Sequence, residues 1–540
     1  MWHKRDRHDF LKFLFPRYLV LLVLLPLVTG LFIDHELVHP ISFLVNLIWM
    51  LPNTFPYYIF RKQFIYRIAA IYYFIIGFFE IGHWLILEGP LTISSLLNFF
   101  NSNYNEVIAF MDLKFNSELL LLLPYMVLFI IALRHPPKVS WFRLKFSILF
   151  FIVMAFTTLG VILFNLFPKT QLVPQFAKVF YATTIELKQY NLAITENKLQ
   201  RIDVVADIRK EGQTFVLIIG ESCSRNHMSL YGSSVDTNPR LKTRTDLIAY
   251  NDVVSAHSYT TLSIPAILSN INLENKVKFA ESVDLIDVFH SAGFKTYWIS
   301  NQSPIGIWDN VVSSFASKAD VSKFVNISSN SSQEALFNKS YDSRLFEPFR
   351  KALEDKAESK FIVLHLMGNH NTYSKRYPSD FAKFKGQNDR EKLIAEYHNS
   401  VLYNDFVVDN LLNMLKENSS KKQRMSSAIY VSDHGENLFD EQNRIGHDYA
   451  RIIPGANVEI PFVVWMSDSY ISSYSSKAEI IEFNKERPFV SDDLFHCVLD
   501  INNIKIPFFE ARRSIFSPNY NEERKRILAD GYNYDERRFK

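Results

Sequence analysis

Five long apolar runs crowd the first third of the chain: residues 17–33, 41–60, 68–87, 118–134 and 146–168. None carries the polar face of a helix on a globular surface, and about 20 apolar residues cross a bilayer core. The pattern predicts a transmembrane domain of five helices over residues 1–168. The first run lacks a small-residue cleavage site and further spans follow it, so it reads as an anchor rather than a removable leader. Basic residues alternate between the connecting segments. Lys4, Arg5, Arg7, Lys12 and Arg17 precede or open the first run, Arg61, Lys62 and Arg67 follow the second, and Arg134, Lys138, Arg143 and Lys145 follow the fourth. The alternate segments, 34–40 and 88–117, hold Lys114 alone. Lys and Arg collect on the cytoplasmic side. That asymmetry puts the N-terminus in the cytoplasm and everything after residue 168 outside it, in a bacterium the periplasm. Glu80 and His83 near the outer end of the third run are costly in a membrane. They read either as functional groups or as side chains snorkelling to the interface.

After residue 168 the pattern changes. Residues 169–213 read as a linker with an interfacial helix, because Phe176, Val179, Phe180, Thr183 and Leu187 follow helical spacing. From 214 to 540, short β-branched runs alternate with helical stretches. Residues 215–220, 295–301, 361–366 and 428–432 predict buried strands, and 281–293, 343–356 and 390–416 predict helices. Such alternation gives a mostly parallel α/β sheet sandwiched by helices, with its site at the carboxyl ends of the strands. The charged, turn-rich tail 511–540 reads as surface.

Composition narrows the class. Lys and Arg number 59 against 56 Asp and Glu, leaving no basic excess for nucleic acid. Two cysteines, Cys223 and Cys497, exclude a disulfide-stapled scaffold. They read as buried thiols or as one pair.

The expected strand ends carry the chemistry. Glu221 follows the first strand, His370 lies just beyond the third, and Asp433 and His434 follow the fourth. Carboxylate and imidazole groups converging at strand ends suit a divalent metal, Zn2+ ahead of Mn2+ or Mg2+. A hydroxyl-rich segment, Ser255–Ser269, opens a helix with Pro265 in its early turns. A hydroxyl there sits where free backbone N–H groups hold phosphate. Ser222, Ser258, Thr260, Thr261 and Ser263 all compete for the role of nucleophile. Ser222 is expected to point away from Glu221, since adjacent strand residues face opposite ways.

Four motifs in order, GESCSRNHMSLYGSSVDTNPRL, SYTTLSIP, MGNHNTYSKRYP and SDHGEN…GH, resemble those of the lipid-A and lipopolysaccharide phosphoethanolamine transferases. These are membrane-anchored members of the alkaline phosphatase/sulfatase superfamily. The resemblance covers nearly the whole chain, five spans and outer domain included. It implies Glu221, Asp433, His434 and Thr260 as zinc ligands, with one or two ions, and Thr260 as nucleophile. It implies His370 and His447 as phosphate-site residues, and more loosely Asn103 and Glu106 at the donor headgroup. The implied donor is phosphatidylethanolamine and the acceptor a lipopolysaccharide or another envelope glycan. Ala256 and Ala266 stand where lipid-A-modifying members carry cysteines, which favours a core sugar or another glycan as acceptor. Two other readings share the pattern: a phosphoglycerol transferase acting on a surface glycan, and an inactive membrane scaffold of the same fold. No Cys-x-Pro-x-Arg motif supports a sulfatase activity.

Overall fold

The computed structural model of the protein describes residues 16–33, 40–60, 62–87, 117–137, 199–206, 212–302, 311–326, 340–441, 443–447 and 452–537. Positions 38, 91, 96, 180, 181, 183–185 and 188 are described between them. The chain forms two compact units, one built on the N-terminal helices and one on the sheet that follows.

The first unit holds α1 (Arg17–Ile33), α2 (Ile41–Phe60), α3 (Gln63–Leu87) and α4 (Leu122–Arg134). Leu19, Leu22 and Val23 of α1 pack with Ala70, Tyr73 and Ile76 of α3, and the Tyr125 hydroxyl donates to Leu22 O at 2.8 Å. The outer side is as apolar as the inner: Phe64, Ile68, Ile71, Ile75 and Phe79 form an exposed stripe along α3. A stripe of that kind belongs in hydrocarbon rather than water. Four of the five expected runs are therefore helical, and the run 146–168 lies outside the described residues. By length and composition, two segments among the described residues, Gln63–Ile86 and Ser117–Arg134, suffice to cross a membrane. The expected count of five spans is thus not established. Glu80 and His83 are both buried, so neither snorkels to a surface. Most of the helix expected around 176–187 also lies outside the described residues.

The second unit is built on a seven-stranded sheet. Its strands are β1 (Gln213–Gly220), β2 (Leu247–Ala249), β3 (Lys295–Ser300), β4 (Val321–Phe324), β5 (Lys360–His365), β6 (Met425–Ser432) and β7 (Phe462–Met466). Their spatial order is β2-β7-β6-β1-β5-β3-β4. The central pairings β6·β1, β1·β5, β5·β3 and β3·β4 are parallel, while β7 pairs antiparallel with both β6 and β2. The sheet is thus mixed, with its parallel part as expected. Alternation along β1 explains the sandwich. Phe215, Leu217 and Ile219 face one core with α5 (Thr260–Leu268), α6 (Leu285–Ser291) and α12 (Leu494–Ile501). Val216 and Ile218 face the other, with α8 (Phe346–Glu354) and α9 (Asp389–Lys422). The first core also takes in α7 (Val311–Lys318), α10 (Asp468–Ser473) and α11 (Ser475–Phe483). A strand covered on both sides needs apolar residues at every position, and all eight residues of β1 are buried.

The tail is only partly the surface segment its charges predict. Ile515 and Phe516 lie in the first core, and the buried Arg526 pairs with Asp252 and Asp535. Arg513, Arg524 and Arg526 pair with buried or half-buried carboxylates, while Arg512, Glu522, Glu523 and Lys525 are exposed. Cys223 and Cys497 are both buried free thiols and do not pair.

Candidate active site

Register brings the acidic residues together. Gly220 at the end of β1 lies opposite Ser432 at the end of β6. Glu221 and Asp433 therefore leave the sheet side by side, and Asp433 N donates to Gly220 O at 3.1 Å. The loop after β5 folds back over them, with Asn369 N donating to Glu221 O at 2.9 Å. Asp342 pins that loop: its carboxylate accepts Met367 N at 2.8 Å and Gly368 N at 2.9 Å.

Thr260 enters from α5 as its first residue. Tyr259 before it makes no side-chain cap bond, and its carbonyl accepts Leu262 N at 3.2 Å and Ser263 N at 2.9 Å. Thr260 Oγ1 lies 3.1 and 3.3 Å from the Glu221 oxygens and 3.3 Å from His434 Nε2. Ser263 turns away to His257 O, as the helical spacing predicts. Ser222 departs from expectation. It adopts a left-handed backbone (φ 53°), which breaks strand alternation and lets its hydroxyl donate to Glu221 Oε1 at 2.8 Å.

The donor chemistry fits a divalent metal. Glu221, Asp433 and His434 each offer a ligand atom within 4.8 Å of the others, and all three are buried. His434 Nδ1 engages Gly435 O at 2.8 Å, which leaves Nε2 to face the carboxylates. Asp433 Oδ2 is buried without a hydrogen-bond partner, a cost that a cation would remove. Titration tells the same story. Burial alone would raise Glu221, but the hydrogen bond and charge of His434 outweigh it and hold the carboxyl well below the usual range. Burial and the Glu221 charge push Asp433 up. Burial opposes charge on His434 as well, yet Asp433 and Glu221 together raise its pKa to about 10. Two crowded carboxylates thus hold a proton on His434 that a bound metal ion would displace.

A second donor set adjoins the first. His434, Glu436 and His447 also fall within 4.8 Å, and the two histidine rings lie 4.5 Å apart. His447 Nδ1 contacts Glu436 Oε2 at 2.8 Å, and the Tyr373 hydroxyl donates to the other oxygen of Glu436. His370 sits in the field of Glu221, His447 and Glu436. Burial lowers its pKa to about 4, and its Nδ1 has no partner. The fold thus gathers Glu221, Thr260, His370, Asp433, His434 and His447, whereas Asn103 and Glu106 lie outside the described residues. Three participants were missed from sequence. Glu436 stands two residues after His434 inside the SDHGEN motif and could have been read there. Tyr373 stands three residues after His370 inside the MGNHNTYSKRYP motif, whereas Gln302, whose amide donates to Leu366 O at 3.0 Å and reaches Glu221 Oε2 at 3.4 Å, carried no signal.

A hydroxyl at a helix start, facing carboxylates and an imidazole at parallel strand ends, is an arrangement suited to nucleophilic attack on a phosphate or sulfate ester. The sulfatase family model matches residues 213–504, more than half of the chain, and the protein belongs to that family. Its similarity extends further. Phosphoethanolamine transferase EptC of Escherichia coli K12 is 26% identical over 528 residues, covering 89% of this chain and 87% of the relative. The crystal structure of the C-terminal periplasmic domain of E. coli EptC in complex with Zn superposes with a TM-score of 0.56 at 27% identity. That match covers 63% of this chain and 95% of that one. The integral membrane protein lipooligosaccharide phosphoethanolamine transferase A of Neisseria meningitidis shares the fold over 88% of this chain and 90% of its own, with a TM-score of 0.65 at 20% identity.

Proposed function

We propose that the protein transfers phosphoethanolamine from phosphatidylethanolamine to a lipopolysaccharide or another envelope glycan, from the periplasmic face of a bacterial inner membrane. The observation that carries this reading is the position of Thr260 Oγ1 within 3.3 Å of both Glu221 and His434 at the start of α5. The relatives named phosphoethanolamine transferases support the transferred group. The apolar stripe on α3 supports a membrane seat for the first unit, next to a lipid donor.

Glu221, Asp433, His434 and Thr260 would hold a zinc ion, which supplies Lewis-acid polarisation and lowers the pKa of the Thr260 hydroxyl. Thr260 Oγ1 attacks the donor phosphorus. The Oγ1–P bond forms, the bond from phosphorus to the diacylglycerol oxygen breaks, and that oxygen leaves with a proton. Glu221 is within reach of the proton that Thr260 gives up. The first-turn N–H groups of α5 face the phosphoryl oxygens. His370 is neutral at ordinary pH because of its burial, so it acts there as a hydrogen-bonding group rather than a cation. His447, oriented by Glu436, supplies the leaving-group proton. An acceptor hydroxyl oxygen then attacks the phosphorus of phospho-Thr260 while its proton passes to His447; the Oγ1–P bond breaks and Thr260 takes back the proton held at Glu221. Ala256 and Ala266 beside the nucleophile favour a core sugar or another glycan as acceptor over a lipid-A phosphate.

The test is direct. Full-length protein incubated with phosphatidylethanolamine and digested is expected to carry a phosphoethanolamine adduct on Thr260. An adduct on Ser258 or Thr261, or none under conditions where transfer proceeds, overturns the reading.

A further inference from the structure

Away from the Glu221 cluster, three groups from separate segments converge. His227 comes from the loop after β1, His398 from α9, and Asp440 from the hairpin that pairs Asn437–Leu438 with Ile445–Gly446. His227 Nε2 lies 3.1 Å from Asp440 Oδ2, and His227 Nδ1 lies 3.0 Å from His398 Nε2. The carboxylate takes the Nε2–H of His227, so the lone pair of Nδ1 is directed at His398. At 3.0 Å the two nitrogens are close enough to be bridged either by one N–H hydrogen or by a metal ion.

We propose that His227 Nδ1 and His398 Nε2 form an accessory site for a divalent transition metal of the zinc class, with Asp440 orienting His227 from behind. Nitrogens bound at about 2.0–2.1 Å in tetrahedral geometry stand about 3.3 Å apart, so the pair opens by only about 0.3 Å to admit the ion. The His227 side chain is 12% exposed, which leaves room for water to complete the coordination. A carboxylate on the far nitrogen of a metal-binding histidine is the usual second partner, fixing tautomer and ring orientation. Around the pair stand Asp440, the edge-on Tyr397 ring against His227 and the Phe384 ring against His398. The position gives the ion a consequence. It ties together the loop after Glu221, helix α9 and the hairpin whose two ends carry Glu436 and His447.

The experiment measures zinc bound by full-length protein in detergent, dialysed against micromolar free Zn2+. The starting point is an Asp433→Asn/His434→Ala background, which keeps the test independent of the site around Thr260. That background is expected to retain one zinc that His398→Gln or His227→Gln removes. Amide exchange in the hairpin around residues 437–447 should quicken with the loss. Asp440→Asn, which spares both ligands, should weaken binding about 10–100-fold. Equal zinc content with and without His398 overturns the proposal and leaves an ordinary imidazole–imidazole hydrogen bond. So does an affinity indifferent to Asp440→Asn.

Discussion

Replacing Gly368 with alanine tests how the loop after β5 positions the site. Gly368 has φ 52°, in the left-handed region, where an L side chain costs about 1–2 kcal/mol. A Cβ there would lie 2.7 Å from Glu221 O and 2.8 Å from Glu221 N. That is about 0.8 Å inside the contact distance of about 3.5 Å. The atoms it meets are backbone and cannot rotate aside. Asp342 holds Gly368 N and Asn369 N is bonded to Glu221 O, so the loop cannot simply lift. Overpacking of this kind costs about 1–3 kcal/mol, and the sum is about 3 kcal/mol. Relief comes by displacing Glu221, and misplacement by about 1 Å costs about 100-fold in rate. The Gly368→Ala variant should melt several degrees lower and transfer phosphoethanolamine about 100-fold more slowly in an assay with fluorescent phosphatidylethanolamine. Gly232→Ala is the control, because Gly232 also has a positive φ (97°) but nothing lies within 4 Å of its added Cβ. It should pay the backbone term and keep full activity. Wild-type turnover in Gly368→Ala, or equal losses in both variants, would refute the argument.

Other consequences follow from the same geometry. Thr260→Ala should lower transfer by orders of magnitude while zinc stays bound through three remaining ligands, read by elemental analysis beside turnover; a few-fold loss would exclude Thr260 as nucleophile. Asp433→Asn/His434→Ala should purify folded with one zinc fewer than wild type, and a zinc content equal to wild type would count against the ligand set. Burial lowers the pKa of His257, His365 and His496 to about 4 each. Their unfolded value is about 6.5, so the unfolded chain binds the extra protons between those values. Stability is therefore complete above about pH 6.5 and falls toward pH 4, by up to about 1.4 kcal/mol per pH unit for each histidine. Melting curves from pH 7 to 5 should show the drop, with His496→Gln flattening it, and a pH-independent midpoint would contradict the assignment.

The strands and their chemistry were legible because both rest on local pattern. Runs such as Phe215–Gly220 are apolar at every position, which only a strand covered on both faces demands. The residues just past them, Glu221 and Asp433-His434, could be named in advance because parallel strands deliver their ends to one edge. Thr260 was singled out by resemblance, while the residues alone left five hydroxyls in contention. Tertiary structure decided the rest. Register alone sets Gly220 against Ser432 and so Glu221 beside Asp433. A left-handed turn at Ser222, invisible to an alternation argument, swings its hydroxyl onto the Glu221 carboxylate. The tail looked solvated because charge was counted without its partners, yet Arg526 is buried between Asp252 and Asp535. Tyr373 stands inside the MGNHNTYSKRYP motif, but its hydrogen bond to Glu436 across 63 residues leaves no periodic trace, and Gln302 reaches the site from a segment with no motif. Sequence determines which local conformations and chemical groups are available. Which of those groups meet depends on long-range packing, and that is a property of the folded chain alone.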